Sequence, residues 1–418
     1  MKEKSRDRIK SVSTCSLLMY GILAMPLAFA STPLYIYAPD FYAHHFYLSL
    51  SWLGTALLFL RLIDAIQDPI IGLISDRFAT YRPRLIYISG LLLVCSFYAL
   101  FHPVFTNYAL NFIVFIFLST TAFSILSINL NSLGALWGQD DHQKILIVGY
   151  RELFGLIGLM LAVSLPQIST DPALAWTITC VILVFLMILS LSCYRYWQSQ
   201  HHDLNKNKKL SMIGFAQFQQ LPTQSLKIFL VYGVSMLASS FPGVLVIFFI
   251  RDRLQLEPDT GLFLSVYFVA AVASIPLWKK LSNRLNKERV WLSGMCLSIA
   301  FFIWAALLEA GHFWPYLWIC LGSGIALGAE VVMPPTLLAD VIQKHQCAHQ
   351  ASLLFSILAF LGKLALALAA AIGFSYLDYF LFVPAQENTK EALQALSQVY
   401  AVLPCFLKFI AALILYKI

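Results

Sequence analysis

The amino-acid sequence predicts an all-α membrane protein with twelve transmembrane helices. Of its 418 residues, 60% are hydrophobic and 12% are charged, whereas about a quarter of the residues in a soluble protein are charged. The mean hydropathy is +0.76, and the apolar runs are long enough for helices of ~20 residues that cross a bilayer. These runs do not alternate with polar residues, which excludes a transmembrane β-barrel.

Twelve apolar segments make up most of the chain. The longest polar interruption, 197–223, predicts a cytoplasmic linker that divides the chain into six-helix bundles at 1–196 and 224–418. We predict the twelve helices at 13–38, 48–75, 84–103, 106–136, 144–168, 173–196, 224–250, 258–280, 289–309, 312–336, 349–376 and 394–416.

The basic residues are distributed according to the predicted sides of the membrane. Most lie in the N-terminal tail and in the loops on its side, whereas the opposite loops hold Arg251, Arg253 and Lys390. By the positive-inside rule both termini are cytoplasmic, so the net charge of +7 does not indicate a nucleic-acid partner. We expect a monomer in a bacterial inner membrane, whose partners are the lipid bilayer and a small-molecule substrate.

Two carboxylates, Asp64 and Asp68, lie inside the second predicted span. Ionisable groups are costly in bilayer hydrocarbon, so they are found where they line a cavity and serve a function. Residues at i and i+4 share one helix face, and Arg61 lies one turn earlier on about the same side. Pro69 cannot donate a hydrogen bond to the carbonyl of Ala65, which frees another oxygen nearby. We expect this cluster to hold and release a cation.

The two halves carry a weak internal repeat. Leu73–Arg77, at the end of span 2, resembles Lys280–Arg284 at the end of span 8, and further matches keep a nearly constant offset. Duplicated six-helix units are typical of major-facilitator transporters, whose substrate site lies near the midplane between the halves. The sequence therefore predicts a major-facilitator fold with two pseudo-symmetric halves.

Several motifs resemble the glycoside–pentoside–hexuronide:cation symporters, the melibiose-permease family. They are Asp64–Gly72, Ser75–Arg77, Tyr150–Gly155, Ala339–Val341 and Gly362–Lys363, and they follow one another in the order of that family. The resemblance implies cation-coupled uptake of a small organic solute, such as a sugar or a glycoside, by alternating access.

In that family two acids of span 2, a hydroxyl of span 4 and a lysine of span 11 surround the coupling ion, which is Na⁺, Li⁺ or H⁺. Matched by motif, these residues are Asp64, Asp68, Ser124 and Lys363. Gln67 adds an oxygen between the two acids. We expect Lys363 and Arg61 to couple cation occupancy to conformation. The alternatives are that both bases neutralise the acids in a static network, or that Lys363 pairs permanently with Glu330.

The substrate contacts of the melibiose permeases are not retained. Their span-1 acid aligns near Ala28, and a span-4 acid and the following aromatic residue align with Ser127 and Asn131. The galactoside specificity therefore does not transfer. The candidate substrate-binding residues are instead Asn129, Asn131, Ser132, Glu330 and Tyr35.

Two of these assignments have alternatives. The polar side chains of span 4 would serve equally well in helix–helix hydrogen bonds. Glu330, which is not expected in the sugar symporters, could be a protonation site or the counter-ion of a cationic substrate. Lys408, in span 12, is expected to face an interior crevice or to snorkel.

The loop after span 2 fits the cytoplasmic gating motif of the superfamily. Asp76 can pair with arginines of neighbouring helices in one state and release them in the other. The alternative is a loop that only follows the positive-inside rule. Arg151 is expected either to help close this gate or to snorkel. The predicted gating residues are Asp76, Arg77, Arg82, Arg84, Arg151 and Asp340.

The leading hypothesis is a symporter that imports a small polar solute with Na⁺ or H⁺. The alternative is proton-coupled export of a cationic or lipophilic compound, which Glu330 favours. The sequence contains no HExxH, GxSxG or P-loop motif, so we do not expect an enzyme. No CxxC motif or His/Cys cluster occurs, so we expect no cofactor and no metal beyond a transported Na⁺.

Overall fold

The computed structural model describes residues 13–48, 50–138, 140–164, 172–201, 221–384 and 386–417, which are helical over most of their length. Among these residues, eleven helical segments are long and apolar enough to cross a membrane. The remaining predicted span is a continuous helix of 28 residues, Leu50–Arg77, which is also long enough to cross a bilayer. The predicted all-α fold is confirmed.

The twelve spans follow the predicted order. Span α1 consists of the helices Thr14–Gly21, Ala24–Thr32 and Ala38–Phe46, with a π-helical turn at Pro33–Tyr37. Span α12 consists of Lys390–Ser397, a π-helical turn at Gln398–Val402, and Leu403–Tyr416. The others are α2 Leu50–Arg77, α3 Arg82–Phe101, α4 Tyr108–Trp137, α5 Asp141–Ser164, α6 Pro172–Gln200, α7 Thr223–Phe248, α8 Thr260–Ser282, α9 Lys287–Phe302, α10 Phe313–Lys344 and α11 Ala351–Tyr379.

Some boundaries differ from the prediction. Helix α10 continues through Pro334 and Pro335 to Lys344, beyond the predicted end at 336. Neighbouring helices can satisfy the backbone groups that a proline frees in a membrane helix. The predicted linker 197–223 lies mostly outside the described residues, although α6 extends into it as far as Gln200.

Two large buried clusters form the interior. One is built from residues between Leu17 and Trp197, and the other from residues between Phe241 and Ala401. Two smaller clusters join residues of α4 and α5 to the helices that follow the linker. Helices from the two parts of the chain therefore pack directly against each other.

Helix α2, which precedes the linker, packs closely against α11, which follows it. A Cβ atom added at Gly72 of α2 would lie 2.3 Å from the Oγ of Ser356 and 2.8 Å from the backbone oxygen of Ser352. Glycine is therefore required at this position for the helices to pack so closely. This contact brings the acidic face of α2 towards α11.

Candidate cation and coupling site

Helix α2 carries the two acids on its buried face. Asp64 is 3% exposed and Asp68 is 0% exposed, and α2 packs against both α4 and α11. The i and i+4 spacing places both carboxylates on the same side of the helix. The structure thus brings together the acids of α2 with polar groups of two neighbouring helices.

The ammonium group of Lys363, on α11, lies among oxygen atoms of α2 and α4. Its Nζ is 2.8 Å from Oδ2 of Asp64 and 2.9 Å from both carboxylate oxygens of Asp68. It also donates to the Oγ of Ser124 at 2.8 Å and lies 3.3 Å from the backbone oxygen of Asp64. We call these oxygens of Asp64, Asp68 and Ser124 the oxygen cage.

Gln67 borders the oxygen cage and does not contact Lys363 in the described structure. Its amide donates to Oδ1 of Asp64 at 2.9 Å, and its carbonyl oxygen accepts from the hydroxyl of Thr121 at 3.0 Å. Ser124 donates to the same Oδ1 at 3.3 Å. Gln67 therefore orients Asp64, and Thr121, one turn before Ser124 on α4, is a supporting residue that we did not predict.

Arg61 lies one turn before Asp64 on α2, and its side chain is half-buried. It is not among the described groups that contact Lys363. Its predicted role in coupling stays a prediction. The alternative of a permanent pair between Lys363 and Glu330 is not the arrangement found, because Lys363 contacts the two aspartates instead.

Asp76, at the end of α2, binds the N-terminus of α11. Its carboxylate accepts hydrogen bonds from the backbone N–H groups of Ser352 at 3.0 Å and Leu353 at 2.8 Å. Arg82 is fully buried, pairs with Asp76 at 3.1 Å and donates to the Oγ of Ser352 at 2.7 Å. A carboxylate at a helix N-terminus is stabilised by unpaired N–H groups and by the helix dipole. These bonds tie α2 to α11.

A second tie joins α5 to α10 at the same end of the molecule. The carboxylate of Asp340, on α10, is paired with Lys144 of α5 and lies 2.5 Å from Nζ of Lys287, on α9. Lys144 also donates to Oε1 of Gln343 at 2.7 Å. Asp340 is one of the predicted gating residues, whereas Lys144 and Lys287 were not predicted to act at this gate. We call this end of the molecule, which holds Asp76 with Arg82 and Asp340 with Lys144 and Lys287, the basic end.

The other predicted gating arginines differ in their surroundings. Arg151 is largely buried, donates to Oδ1 of Asn131 and pairs with Glu152. It therefore does not snorkel to solvent. Arg77 and Arg84 lie over the rings of Phe78 and Tyr81, and neither forms an ion pair with a described residue.

The polar residues of α4 lie between helices. Asn129 is fully buried and donates to the Oγ of Ser75 at 3.1 Å, and Ser132 donates to the Oγ of Ser352 at 3.1 Å. Asn131 accepts from Arg151. This geometry favours the helix–helix alternative for the three side chains in the described conformation. The side chain of Tyr35 lies outside the described residues.

Glu330 belongs to a second buried cluster. Lys408, on α12, pairs with Oε2 of Glu330 and donates to the Oγ of Ser239 at 2.6 Å. It also lies 3.1 Å from the Oγ and 3.2 Å from the backbone oxygen of Ser235. Lys408 therefore does not snorkel, and it is the partner of Glu330 that sequence reasoning missed. The sequence signal for this cluster is the pair Ser235 and Ser239, whose i and i+4 spacing places both hydroxyl groups on one face of α7.

Known proteins resemble this chain over nearly its whole length. The profile of the family described as MFS/sugar transport protein matches residues 19–418. An uncharacterized symporter of Bacillus subtilis (strain 168), YnaJ, is 24% identical over 434 residues, which span 97% of this chain and 91% of that protein.

Solved structures show the same architecture. A bacterial homologue of the iron transporter ferroportin, in an outward-facing state, superposes with a TM-score of 0.72 at 15% identity, covering 97% of this chain and 99% of that one. The same protein with soaked iron gives a TM-score of 0.70 at 15% identity. At this identity the likeness shows the fold alone.

The multiple membrane-crossing helices, the family match and the symporter relative agree with one another. They establish an integral multi-pass membrane protein that is a transporter and not an enzyme. The chain belongs to the MFS/sugar transport protein family.

Proposed function

We propose that the chain is a secondary transporter that couples the movement of Na⁺ or H⁺ to the movement of a small organic solute. In this proposal Asp64, Asp68 and Ser124 bind the cation, Gln67 orients Asp64, and Lys363 links the cation to conformation. The single observation that carries the proposal is the position of the Lys363 ammonium, which lies among five oxygen atoms of the oxygen cage.

The oxygen cage already holds one monovalent cation, the side chain of Lys363. Carboxylate, hydroxyl and carbonyl oxygens are hard ligands of the kind that Na⁺ accepts, and a proton needs only one of the carboxylates. Either ion must therefore compete with Lys363 for the same oxygens. Since Lys363 lies on α11 and the oxygens on α2 and α4, a bound cation weakens a contact between the two parts of the chain.

The contacts that join helices of the two parts of the chain at the basic end support alternating access. Asp76 binds α11 through two backbone hydrogen bonds, and Asp340 is bound by Lys144 of α5. If this end is cytoplasmic, as the positive-inside rule predicts, the described conformation is closed towards the cytoplasm. Rocking of 1–196 against 224–418 would then have to break both ties.

The test is a flux assay on purified protein in proteoliposomes. A pooled library of sugars, glycosides, nucleosides and amines is added under an imposed Na⁺ or proton gradient, and both solute uptake and ion movement are recorded. We expect solute-dependent ion flux in the wild type and its loss in Asp68→Asn. The control is Asp378→Asn, which makes the same chemical change at an exposed position near the end of α11.

The outcomes separate coupling from transport. Gradient-driven uptake that persists in Asp68→Asn would contradict the assignment of the oxygen cage. If Asp378→Asn loses uptake as well, then an Asp-to-Asn change impairs folding and not coupling. Melting curves of both variants measure that effect on folding.

A further inference from the structure

A cavity of about 650 Å³ lies among the helices that follow the linker. Its walls come from α7, α8, α9, α10 and α12, with Thr32, Leu159 and Met160 added from α1 and α5. It shares no residue with the oxygen cage. Its volume lies in the range of pockets that bind drug-sized ligands.

The walls of the cavity are mainly apolar and aromatic. Phe263, Phe268 and Phe302 contribute to them, and so do Tyr316 and Tyr400, whose hydroxyl groups bond to each other at 2.7 Å. These two hydroxyls are therefore already paired. The other hydroxyl groups of the wall belong to Thr32, Tyr267 and four serines. A free sugar carries hydroxyl groups on all sides, so it would still exchange hydrogen bonds to water for contacts with apolar groups.

Glu330 and Lys408 are the charged residues of the cavity wall. Lys408 has acceptors for all three of its N–H donors, namely Glu330, Ser239 and Ser235. Lys408, Ser235 and Ser239 all approach the same carboxylate oxygen of Glu330, Oε2. No described residue donates a hydrogen bond to Oε1, so this atom is an acceptor left for a ligand.

The charges of Glu330 and Lys408 cancel within the cavity wall. A ligand with a net charge would bring an uncompensated charge into mainly apolar surroundings, which is unfavourable. An uncharged ligand with a hydrogen-bond donor avoids that penalty and satisfies Oε1 of Glu330. Its remaining surface must be apolar in order to match the aromatic walls.

We propose that this cavity binds an uncharged amphiphile, with an apolar or aromatic body against the aromatic side chains and a hydroxyl group that donates to Oε1 of Glu330. The site is independent of the proposed coupling through the oxygen cage. Binding to it requires neither a cation gradient nor movement of the two parts of the chain.

Gly243 and Gly261 offer a way to narrow the cavity. Both line it, and a Cβ atom added at either would meet no atom within 4 Å. Leucine at position 243 therefore adds volume at the cavity without a clash at its Cβ. Alanine at the same position is the matched control, because it removes the same glycine but adds only a methyl group.

The experiment uses the full-length protein in lipid nanodiscs and a photoreactive benzyl alcohol that carries a diazirine. Two matched probes replace the hydroxymethyl group with a methyl or an aminomethyl group. Saturable labelling is quantified, and the labelled peptides are mapped by mass spectrometry. We expect the alcohol to label peptides of the cavity wall and to bind about tenfold more tightly than the methyl probe, the effect of one hydrogen bond. Gly243→Leu should weaken this labelling more than Gly243→Ala does.

Four results would overturn the proposal. Equal affinity of the alcohol and methyl probes would show that Oε1 of Glu330 is not a recognition element, and this comparison uses only the wild type. Tighter binding of the amine would indicate a cationic ligand. Labelling that is equal in Gly243→Leu and Gly243→Ala would place the probe elsewhere. Labelling in detergent that disappears in nanodiscs would identify bilayer lipid as the occupant.

Discussion

A half-buried lysine and a buried lysine contact carboxylates and serines in this transporter, and they differ in what they connect. Lys363, on α11, reaches across to α2 and α4, and its side chain is 23% exposed. Lys408, on α12, contacts α7 and α10, which follow the linker as it does, and its side chain is 5% exposed. Similar chemistry therefore occurs once between the two parts of the chain and once within one of them.

This difference indicates which of the two clusters can rearrange during transport. Breaking a buried ion pair by removing one partner is strongly unfavourable, because a charge is left uncompensated. Both members of the Lys408 cluster lie within one packed bundle and do not separate when the two parts of the chain move, so we expect this cluster to be static. In the oxygen cage, a cation from solution can replace the ammonium group of Lys363.

The largest expected effect is on the stability of the static cluster. Lys408→Met leaves Glu330 without its partner, which should lower the free energy of unfolding by about 3–5 kcal/mol. Denaturant unfolding in detergent measures this loss. The double variant Lys408→Met/Glu330→Gln removes both charges and should recover much of it. A single variant as stable as the wild type would contradict the assignment of this cluster as structural.

The corresponding change in the oxygen cage should be smaller and should depend on cations. In Lys363→Met, Na⁺ or a proton can compensate Asp64 and Asp68, so the melting temperature should rise with added Na⁺ or with falling pH. Melting curves over a range of Na⁺ concentration and pH test this. The control is Lys408→Met, whose oxygen cage is intact, so its response to Na⁺ should equal that of the wild type and be smaller than that of Lys363→Met. The same response in both variants would remove the distinction between the clusters.

The ties at the basic end should control opening without affecting the cage oxygens. Asp340→Asn removes the charge that binds Lys144 and Lys287. The described conformation should therefore lose about 1–3 kcal/mol of stability relative to the open conformation. The rate at which a thiol reagent modifies a cysteine placed at Ala339 reports the opening. The expected rate is higher in the variant. If the rate equals that of the protein that carries the same cysteine and retains Asp340, then Asp340 does not hold this end closed.

The smallest effect is expected at the border of the oxygen cage. Gln67→Ala removes one hydrogen bond to Asp64 and should weaken cation binding only severalfold, consistent with about 1 kcal/mol. Calorimetric titration with the coupling ion measures the change. Thr121→Val, which frees the carbonyl oxygen of Gln67 instead, should weaken binding less. A complete loss of binding in Gln67→Ala would indicate that Gln67 is itself a cation ligand.

The sequence was sufficient to predict the fold and much of the proposed cage. Long apolar segments set the number of spans, and the charged residues inside α2 and α11 stood out because charge is rare in bilayer hydrocarbon. The position of Lys363 beside Asp64 and Asp68 followed from the family resemblance and not from spacing along the chain.

The partners of single charges could not be predicted in the same way. Lys408 and Glu330 lie on different helices, and only packing brings them together with Ser235 and Ser239. In the sequence Lys144 is one basic residue among several, and only the packing of α5 beside α10 gives it the partner Asp340. Contacts between helices that are distant in the chain leave no periodic pattern in the sequence.

The central claim is that a cation competes with Lys363 for the oxygen cage. The most direct test measures Na⁺ and proton binding to the purified wild type and to Lys363→Met. Removing the competing ammonium group should increase the affinity for at least one of the two ions, and the further change Asp68→Asn should abolish that gain. Unchanged affinity for both ions in Lys363→Met would contradict the account.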